Sequence, residues 1–101
     1  MTKIALIDDK DYGISQIKDM HSGEEFDLEY FDTFSAFQES GKFFDIVYLD
    51  YYLSRDGITG ADVIDEVRLQ AKEIIGFSMT PTRSKKLKEL GADDAVWKKF
   101  Y

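Results

Sequence analysis

The feature that most constrains the fold of this chain is a series of short apolar runs, each followed directly by polar or charged residues. Residues 4–7 form the first run and lead into Asp8 and Asp9, and residues 43–49 form another that leads into Asp50. Short, nearly continuous apolar runs are typical of strands that are buried on both faces of a parallel sheet. The side chains that follow them are therefore expected at the carboxyl edge of one sheet, where open α/β proteins place their functional groups.

Helical patterns alternate with these runs. Apolar residues recur at helical spacing after the first run, at Ile14, Ile17 and Met20. Similar patterns predict helices near residues 34–41, 61–68 and 81–91, and further strands near residues 28–31, 74–77 and 95–97. Five strands that alternate with four helices are joined by right-handed crossovers. The sequence therefore predicts an α/β fold with a doubly wound, five-stranded parallel sheet of strand order 2-1-3-4-5, as in flavodoxin-like domains.

The composition limits the chain to one domain and limits the classes of partner that it is expected to bind. With 101 residues, 44% of them hydrophobic, the chain can bury one core, and residues 1–101 are expected to form a single domain. A formal net charge of -7 disfavours direct contact with nucleic acid. Cysteine is absent, no apolar run is long enough to span a bilayer, and the first strand leaves no room for a signal peptide. We therefore expect a cytoplasmic protein without membrane contact.

Five short motifs occur in an order that resembles the receiver domain of bacterial two-component response regulators. The motifs are Ile7-Asp8-Asp9, Tyr48-Leu49-Asp50, Gly76-Phe77-Ser78, Gly91-Ala92-Asp93-Asp94 and Trp97-Lys98-Lys99-Phe100. The resemblance covers essentially the whole chain. It implies a phosphoacceptor that takes a phosphoryl group from a histidine kinase or a phosphotransfer protein and signals through phosphorylation-dependent protein contacts. It also implies no enzyme activity beyond the domain's own phosphorylation and dephosphorylation.

The resemblance implies a role for each residue of the site. Asp50 is the expected phosphoacceptor, Ser78 provides the hydroxyl that bonds a phosphoryl oxygen, and Lys98 is the cation that pairs with the phosphoryl charge. Mg²⁺ is the expected cofactor. Its implied ligands are Asp9 and Asp50 directly, Asp8 mainly through water, and the backbone carbonyl of Tyr52.

The chemistry of these residue types supports the same site independently of the resemblance. Three carboxylates that converge repel one another, and a hard divalent cation relieves this repulsion. Phosphoryl transfer needs positioning and neutralisation of the phosphoryl oxygens, which Mg²⁺, Lys98 and Ser78 would share. Each residue also has a simpler interpretation: Asp8 as a helix N-cap, Lys98 as a solvated surface lysine, and Ser78 as a loop or capping hydroxyl. His21, beside a predicted helix end, is expected to be a solvated capping residue.

Three positions depart from the usual receiver pattern. Lys99 stands where family members usually carry a proline, often in a cis peptide, so a trans peptide and a looser hold on Lys98 are expected. Ala95 stands where many receivers have an aromatic switch residue, so signalling would use loop motion, Trp97 or self-association. The loop at residues 51–60 is longer than usual and lacks its customary proline, which suggests a role in kinase choice or in phosphoryl lifetime.

The sequence ends at Tyr101, where the family's fifth helix is expected to begin. One face of the sheet is then expected to have only the first helix as cover. Apolar side chains on the uncovered part of this face would be exposed over an area large enough to favour binding of a partner. Either the sequence is trimmed or naturally truncated, or a second subunit supplies the missing cover; our hypothesis is a homodimer that forms through this face.

Two other functions compete with the phosphoacceptor. A degenerate receiver would act as a constitutive interaction or dimerisation module, with its acids retained as relics. A hydrolase with an aspartyl-phosphate intermediate is disfavoured, because such enzymes normally place a second Asp two residues after the nucleophile as general acid. This chain has Tyr52 at that position.

Overall fold

A computed structural model describes residues 1–99 of the chain. Its elements, in chain order, are β1 (Thr2–Ile7), α1 (Ile14–Met20), β2 (Phe26–Phe31), α2 (Phe34–Ser40), β3 (Phe44–Leu49), β4 (Tyr52–Leu53), β5 (Ile58–Thr59), α3 (Gly60–Arg68), β6 (Ala71–Ser78), α4 (Pro81–Glu89) and β7 (Asp94–Trp97). Five strands form one parallel sheet in the order β2-β1-β3-β6-β7, and β4 and β5 form a separate hairpin. With the hairpin left aside, this confirms the predicted 2-1-3-4-5 order and the flavodoxin-like α/β fold. The expected start of a fifth helix lies outside the described residues.

The register aligns the carboxyl ends of the central strands. Ile7 lies beside Phe31 of β2 and Leu49 of β3, and Leu49 lies beside Gly76 of β6. β1 lies between β2 and β3, and residues 4–7 are fully buried. This burial explains why the sequence of β1 does not alternate between apolar and polar residues. The residues that follow β1, β3 and β6 are brought to the same edge of the sheet.

Helices cover the two faces of the sheet unequally. On one face α2, α3 and α4 enclose the larger core, to which they contribute Phe37, Val67 and Leu87 among others. The smaller core on the opposite face comprises Ile4, Leu6, Ile17, Tyr48, Ile75 and Phe77. Within residues 1–99, the helical side chains of this second core come from α1, as the sequence leads us to expect. Ile46 and Val96 lie at its margin and are only partly buried.

The helices begin at residues that the sequence marks. Thr33 precedes α2, and its hydroxyl accepts the Ala36 N–H at 3.0 Å, a common N-cap contact. Asp62 in the first turn of α3 accepts the Thr59 N–H at 2.9 Å. α4 begins at Pro81, which needs no hydrogen bond from its nitrogen. Within the described part of the chain, no helix has both the length and the apolar composition needed to cross a bilayer.

The segment predicted as a long loop after β3 contains a β hairpin. Tyr52 pairs with Thr59 and Leu53 with Ile58. Gly57 in the turn has a φ of 69°, a backbone conformation that favours glycine. Leu53 is buried in the larger core and anchors the hairpin there. Strands of two residues are too short to produce a recognisable alternation, which is why the sequence pattern does not predict them.

Three strand starts and one histidine differ from the predictions. β1, β2 and β6 begin two or more residues earlier than expected, at Thr2, Phe26 and Ala71, because their first residues include polar ones that interrupt an apolar run. The prediction that His21 is solvated is wrong, since the residue is only 9% exposed. Its Nε2 lies 2.7 Å from the Tyr48 hydroxyl and its Nδ1 2.6 Å from Glu24. This tertiary contact with β3 buries the ring, and a helix-end pattern carries no information about it.

Candidate functional site

Three carboxylates meet at the carboxyl edge of the sheet. Asp8 and Asp9 follow β1 directly, and Asp50 follows β3. Backbone hydrogen bonds to neighbouring strands hold the residues that follow β1 and β3. The Asp50 N–H donates to the Ile7 carbonyl at 3.0 Å, and the Asp8 N–H donates to the Phe31 carbonyl at 3.1 Å. One carboxylate oxygen from each acid lies within 4.8 Å of the other two. The structure thus brings together the acids that the sequence singles out.

A buried lysine lies between two of these acids. Lys98 follows β7 and is 3% exposed; its Nζ is 2.5 Å from an oxygen of Asp8 and 3.4 Å from an oxygen of Asp50. Its backbone N–H donates to the Ser78 carbonyl at 2.8 Å. The simpler interpretations of two residues are therefore wrong. Lys98 is not solvated, and α1 begins at Ile14, too far along the chain for Asp8 to cap it.

Burial and mutual repulsion raise the pKa of two of these carboxyl groups. Burial, followed by the charge of Asp8, raises the pKa of Asp50 to about 7, although Lys98 acts in the opposite direction. Burial also raises the pKa of Asp8, again against the effect of Lys98. The pKa of Tyr30 rises to about 12, because of burial and then the nearby charge of Asp8. One lysine therefore does not neutralise the site, and the surplus negative charge favours a bound cation.

Ser78 is buried at the same edge of the sheet. Its N–H donates to the Ser84 hydroxyl at 2.8 Å, and its own hydroxyl accepts the Thr80 N–H at 3.3 Å. A cavity of about 210 Å³ lies over the three acids, and Ser78, Lys98 and Tyr52 help to line it. This volume corresponds to several water molecules and can accommodate a phosphoryl group.

The β4–β5 hairpin contacts the site through Ser54. The Ser54 hydroxyl donates to the Asp9 carboxylate, and Asp56 on the same hairpin accepts the Phe34 N–H of α2 at 2.5 Å. The hairpin is therefore held at both the site and the first turn of α2. Sequence reasoning misses Ser54 because only the hairpin brings a residue of the loop after Asp50 back to the acid that follows β1.

Tyr52 lines the cavity, and its ring packs against a cation. The guanidinium carbon of Arg83 in α4 lies 4.6 Å from the centroid of the Tyr52 ring and 4.9 Å from that of Tyr51. Contacts of this kind are attractive, so they connect the residues that follow Asp50 to α4. The metal-binding role of the Tyr52 carbonyl stays a prediction.

Gln16 of α1 holds the segment that carries Lys98. Its Nε2 donates to the Trp97 carbonyl, and its Oε1 accepts the Lys99 N–H, both at 2.8 Å. The Lys98–Lys99 peptide is trans, as expected. The expected looser hold on Lys98 stays a prediction, although two buried acids and Gln16 contact this residue and its neighbours. A single glutamine on an amphipathic helix carries no sequence signal of such a contact.

Two glycines allow close approach of the backbone to the site. A Cβ atom at Gly13 would overlap the Phe77 ring and lie 3.3 Å from Cδ of Lys98, and one at Gly60 would overlap the Asp50 carbonyl oxygen. The loop before α1 and the start of α3 can therefore pack against the site only because these residues lack a side chain. The sequence displays the glycines but not their neighbours.

Comparisons with known proteins identify the fold. No protein-family model and no curated protein match the sequence, whereas solved structures do. The BeF3-activated receiver domain of DrrB is 27% identical with a TM-score of 0.73, and the match covers 100% of this chain and 87% of that domain. The response regulator DrrB of Thermotoga maritima, an OmpR/PhoB homolog, matches with the same identity and TM-score over 99% of this chain and 46% of its own length. TrrA from Thermotoga maritima, in complex with Mg²⁺ and BeF, is 24% identical with a TM-score of 0.73, covering 99% of this chain and 89% of TrrA.

The chain thus spans less than half of DrrB and most of its isolated receiver domain. The TM-scores of 0.73 show that these structures share the overall fold of this chain. Their match extends from one end of this chain to the other. In its fold, this chain is similar over its whole length to the receiver domains of response regulators.

Proposed function

We propose that the protein is a cytoplasmic phosphoacceptor of a two-component phosphorelay, in which Asp50 takes a phosphoryl group from a histidine kinase or a phosphotransfer protein. One observation carries the proposal. Asp50 is 5% exposed, and its carboxylate lies within 4.8 Å of two further carboxylates and 3.4 Å from the Nζ of a buried lysine. Burying several charges together is costly compared with apolar residues of similar size. A chemical function accounts for such an arrangement better than a structural one.

Asp50 supplies the nucleophile. An ionised carboxylate oxygen attacks phosphorus and forms a new P–O bond, while the P–N bond to the donor imidazole breaks and the nitrogen keeps the bonding electron pair. Lys98 then pairs with the phosphoryl oxygens, and the Ser78 hydroxyl donates a hydrogen bond to one of them. Hydrolysis by water returns the carboxylate and releases inorganic phosphate. The protein transforms no external substrate apart from its phosphoryl donor.

The donor set at this edge fits Mg²⁺. Three converging carboxylates provide the oxygen ligands that hard divalent cations prefer, and burial, followed by the charge of Asp8, raises the pKa of Asp50. Asp9 and Asp50 would bind the ion directly, Asp8 through water, and Tyr52 through its backbone carbonyl. When bound, Mg²⁺ would neutralise charge on the phosphoryl oxygens during transfer.

Intact-mass measurement after incubation with Mg²⁺ and a small acyl-phosphate donor tests the proposal. We expect one phosphoryl group on the wild-type protein and none on Asp50→Asn. Asp65→Asn, an exposed acid on α3, is the matched control and should be phosphorylated like the wild type. An unmodified wild-type protein, or an adduct that persists in Asp50→Asn, would contradict the assignment of Asp50.

A second candidate function is a constitutive dimerisation module. One observation favours it: within residues 1–99, α1 is the helix that packs on the second face of the sheet, and Ile46, Val96 and Met20 remain partly or largely exposed there. A homodimer would bury this apolar surface. Sedimentation velocity over a concentration series tests the dimer, and a protein that stays monomeric throughout contradicts it. A dimer combined with no phosphoryl adduct on Asp50 would favour this candidate over the phosphoacceptor.

A further inference from the structure

We infer that Gln16 is a positioning residue for Lys98. This inference rests on the proposed role of Lys98 as the cation that pairs with the phosphoryl group. The Gln16 amide forms two hydrogen bonds of 2.8 Å, one to the Trp97 carbonyl and one from the Lys99 N–H. These groups are on the residues directly before and after Lys98. A glutamine amide combines a donor and an acceptor in one planar group, so a single side chain can form both bonds.

The two bonds hold the backbone on both sides of Lys98. From the other direction, the Lys98 N–H donates to the Ser78 carbonyl of β6 at 2.8 Å. The Trp97 indole N–H donates to the Met79 carbonyl, also at 2.8 Å. The segment is therefore fixed between α1 and the end of β6. A lysine side chain has large rotamer freedom, so a fixed backbone limits the region that its ammonium group can reach.

The hydrogen bonds of Gln16 compensate for the residue at position 99. In proteins with a proline at this position, the ring itself restricts the backbone after the lysine. Lys99 imposes no such restriction, and its N–H needs an acceptor, which Gln16 provides. The partners of Gln16 are 81 and 83 residues away in the sequence. The contact is therefore tertiary and does not contribute to the local stability of α1.

Amide hydrogen exchange of the metal-free, unphosphorylated protein tests the positioning directly. Gln16→Ala removes the acceptor and should speed exchange of the Lys99 amide about fivefold to tenfold. Gln16→Glu keeps an acceptor and should largely preserve protection at Lys99. Ser15→Ala, an exposed change on the same helix, is the control and should leave exchange unchanged. Unaltered exchange at Lys99 in Gln16→Ala would overturn the inference.

The rate of phosphorylation by a small acyl phosphate with Mg²⁺ tests whether Gln16 acts through Lys98. Gln16→Ala should lower this rate about tenfold, because misplaced groups contribute little to transfer. In a Lys98→Ala background the same change should have no further effect. If Gln16→Ala lowered the phosphorylation rate by the same factor in the wild-type and Lys98→Ala backgrounds, action through Lys98 would be refuted. If the wild-type protein takes no phosphoryl group, the proposed function fails, while the exchange measurement still decides whether Gln16 positions the segment.

Discussion

Replacing Asp50 with asparagine should stabilise the metal-free protein at alkaline pH. Burial and the charge of Asp8 raise the pKa of Asp50 from 3.8 to about 7 in the folded protein. The folded state therefore binds this proton more tightly than the unfolded state does. The contribution of Asp50 to stability is fully present below about pH 4 and is lost as the pH rises to about 7. Above that pH the folded protein must hold a buried, ionised carboxylate.

The size of this stabilisation follows from the shift in the pKa of Asp50. A difference of about three pKa units corresponds to about 4 kcal/mol, which is the upper limit for the gain from removing the charge. Asparagine gives up the attraction between Asp50 and Lys98 but can still accept a backbone hydrogen bond from Tyr51. We therefore expect a net gain of about 2 kcal/mol at pH 8, or about 10 °C in melting temperature for a domain of this size.

Thermal and urea unfolding in the presence of a chelator, at several pH values, measure this gain. It should be largest at pH 8 and shrink as the pH falls towards 4, while the exposed control Asp65→Asn should change little at any pH. Added Mg²⁺ should stabilise the wild-type protein more than Asp50→Asn and narrow the difference. An Asp50→Asn protein no more stable than the wild type at pH 8, or a gain independent of pH, would refute this reasoning.

Three further changes test contacts near the site, in the core and at the surface. Ser54→Ala removes the hydroxyl that donates to Asp9 and should weaken Mg²⁺ binding in calorimetric titrations about tenfold, whereas Ser54→Thr should preserve it. Tyr48→Phe removes the hydroxyl 2.7 Å from His21 and should cost about 1–2 kcal/mol in urea unfolding, since a buried ring nitrogen loses its partner. The pKa of Asp93 is lowered mainly by a hydrogen bond from an arginine of α3. Asp93 therefore stabilises the folded state above about pH 4, and this stabilisation is lost as the pH falls through the pKa of Asp93 in the folded protein. Because this acid is largely exposed, Asp93→Asn should cost less than about 1 kcal/mol at neutral pH, and pH-dependent unfolding should show the difference vanish in acid.

The sequence predicts those parts of the fold that depend on local pattern. The apolar runs of β1 and β3 reveal buried strands, because a strand covered on both faces has no polar side to display. The parallel order follows from the alternation of strands and helices. Once the order is known, the acids after β1 and β3 must share an edge, which is why Asp8, Asp9 and Asp50 are found together.

The contacts that the sequence does not predict all depend on tertiary placement. Ser54 reaches Asp9 only because a hairpin too short to be recognised turns the chain back. His21 is buried only because β3 places a tyrosine hydroxyl beside it. Gln16 bonds to residues at the other end of the chain. Each of these polar residue types is also common on the solvent-exposed surface of proteins. The sequence therefore does not reveal the tertiary partner, which is seen only in the folded structure.

Lys98 contacts two of the three acids unequally. Its Nζ lies 2.5 Å from Asp8 and 3.4 Å from Asp50, so Asp8 is the closer partner at rest. A phosphoryl group on Asp50 would add negative charge beside Nζ and draw the ammonium group away from Asp8. Because Gln16 and Ser78 hold the backbone of Lys98, this movement would be confined to the side chain. The same lysine could therefore offset part of the charge of the buried acids before transfer and pair with the phosphoryl oxygens after it, without any rearrangement of the sheet edge.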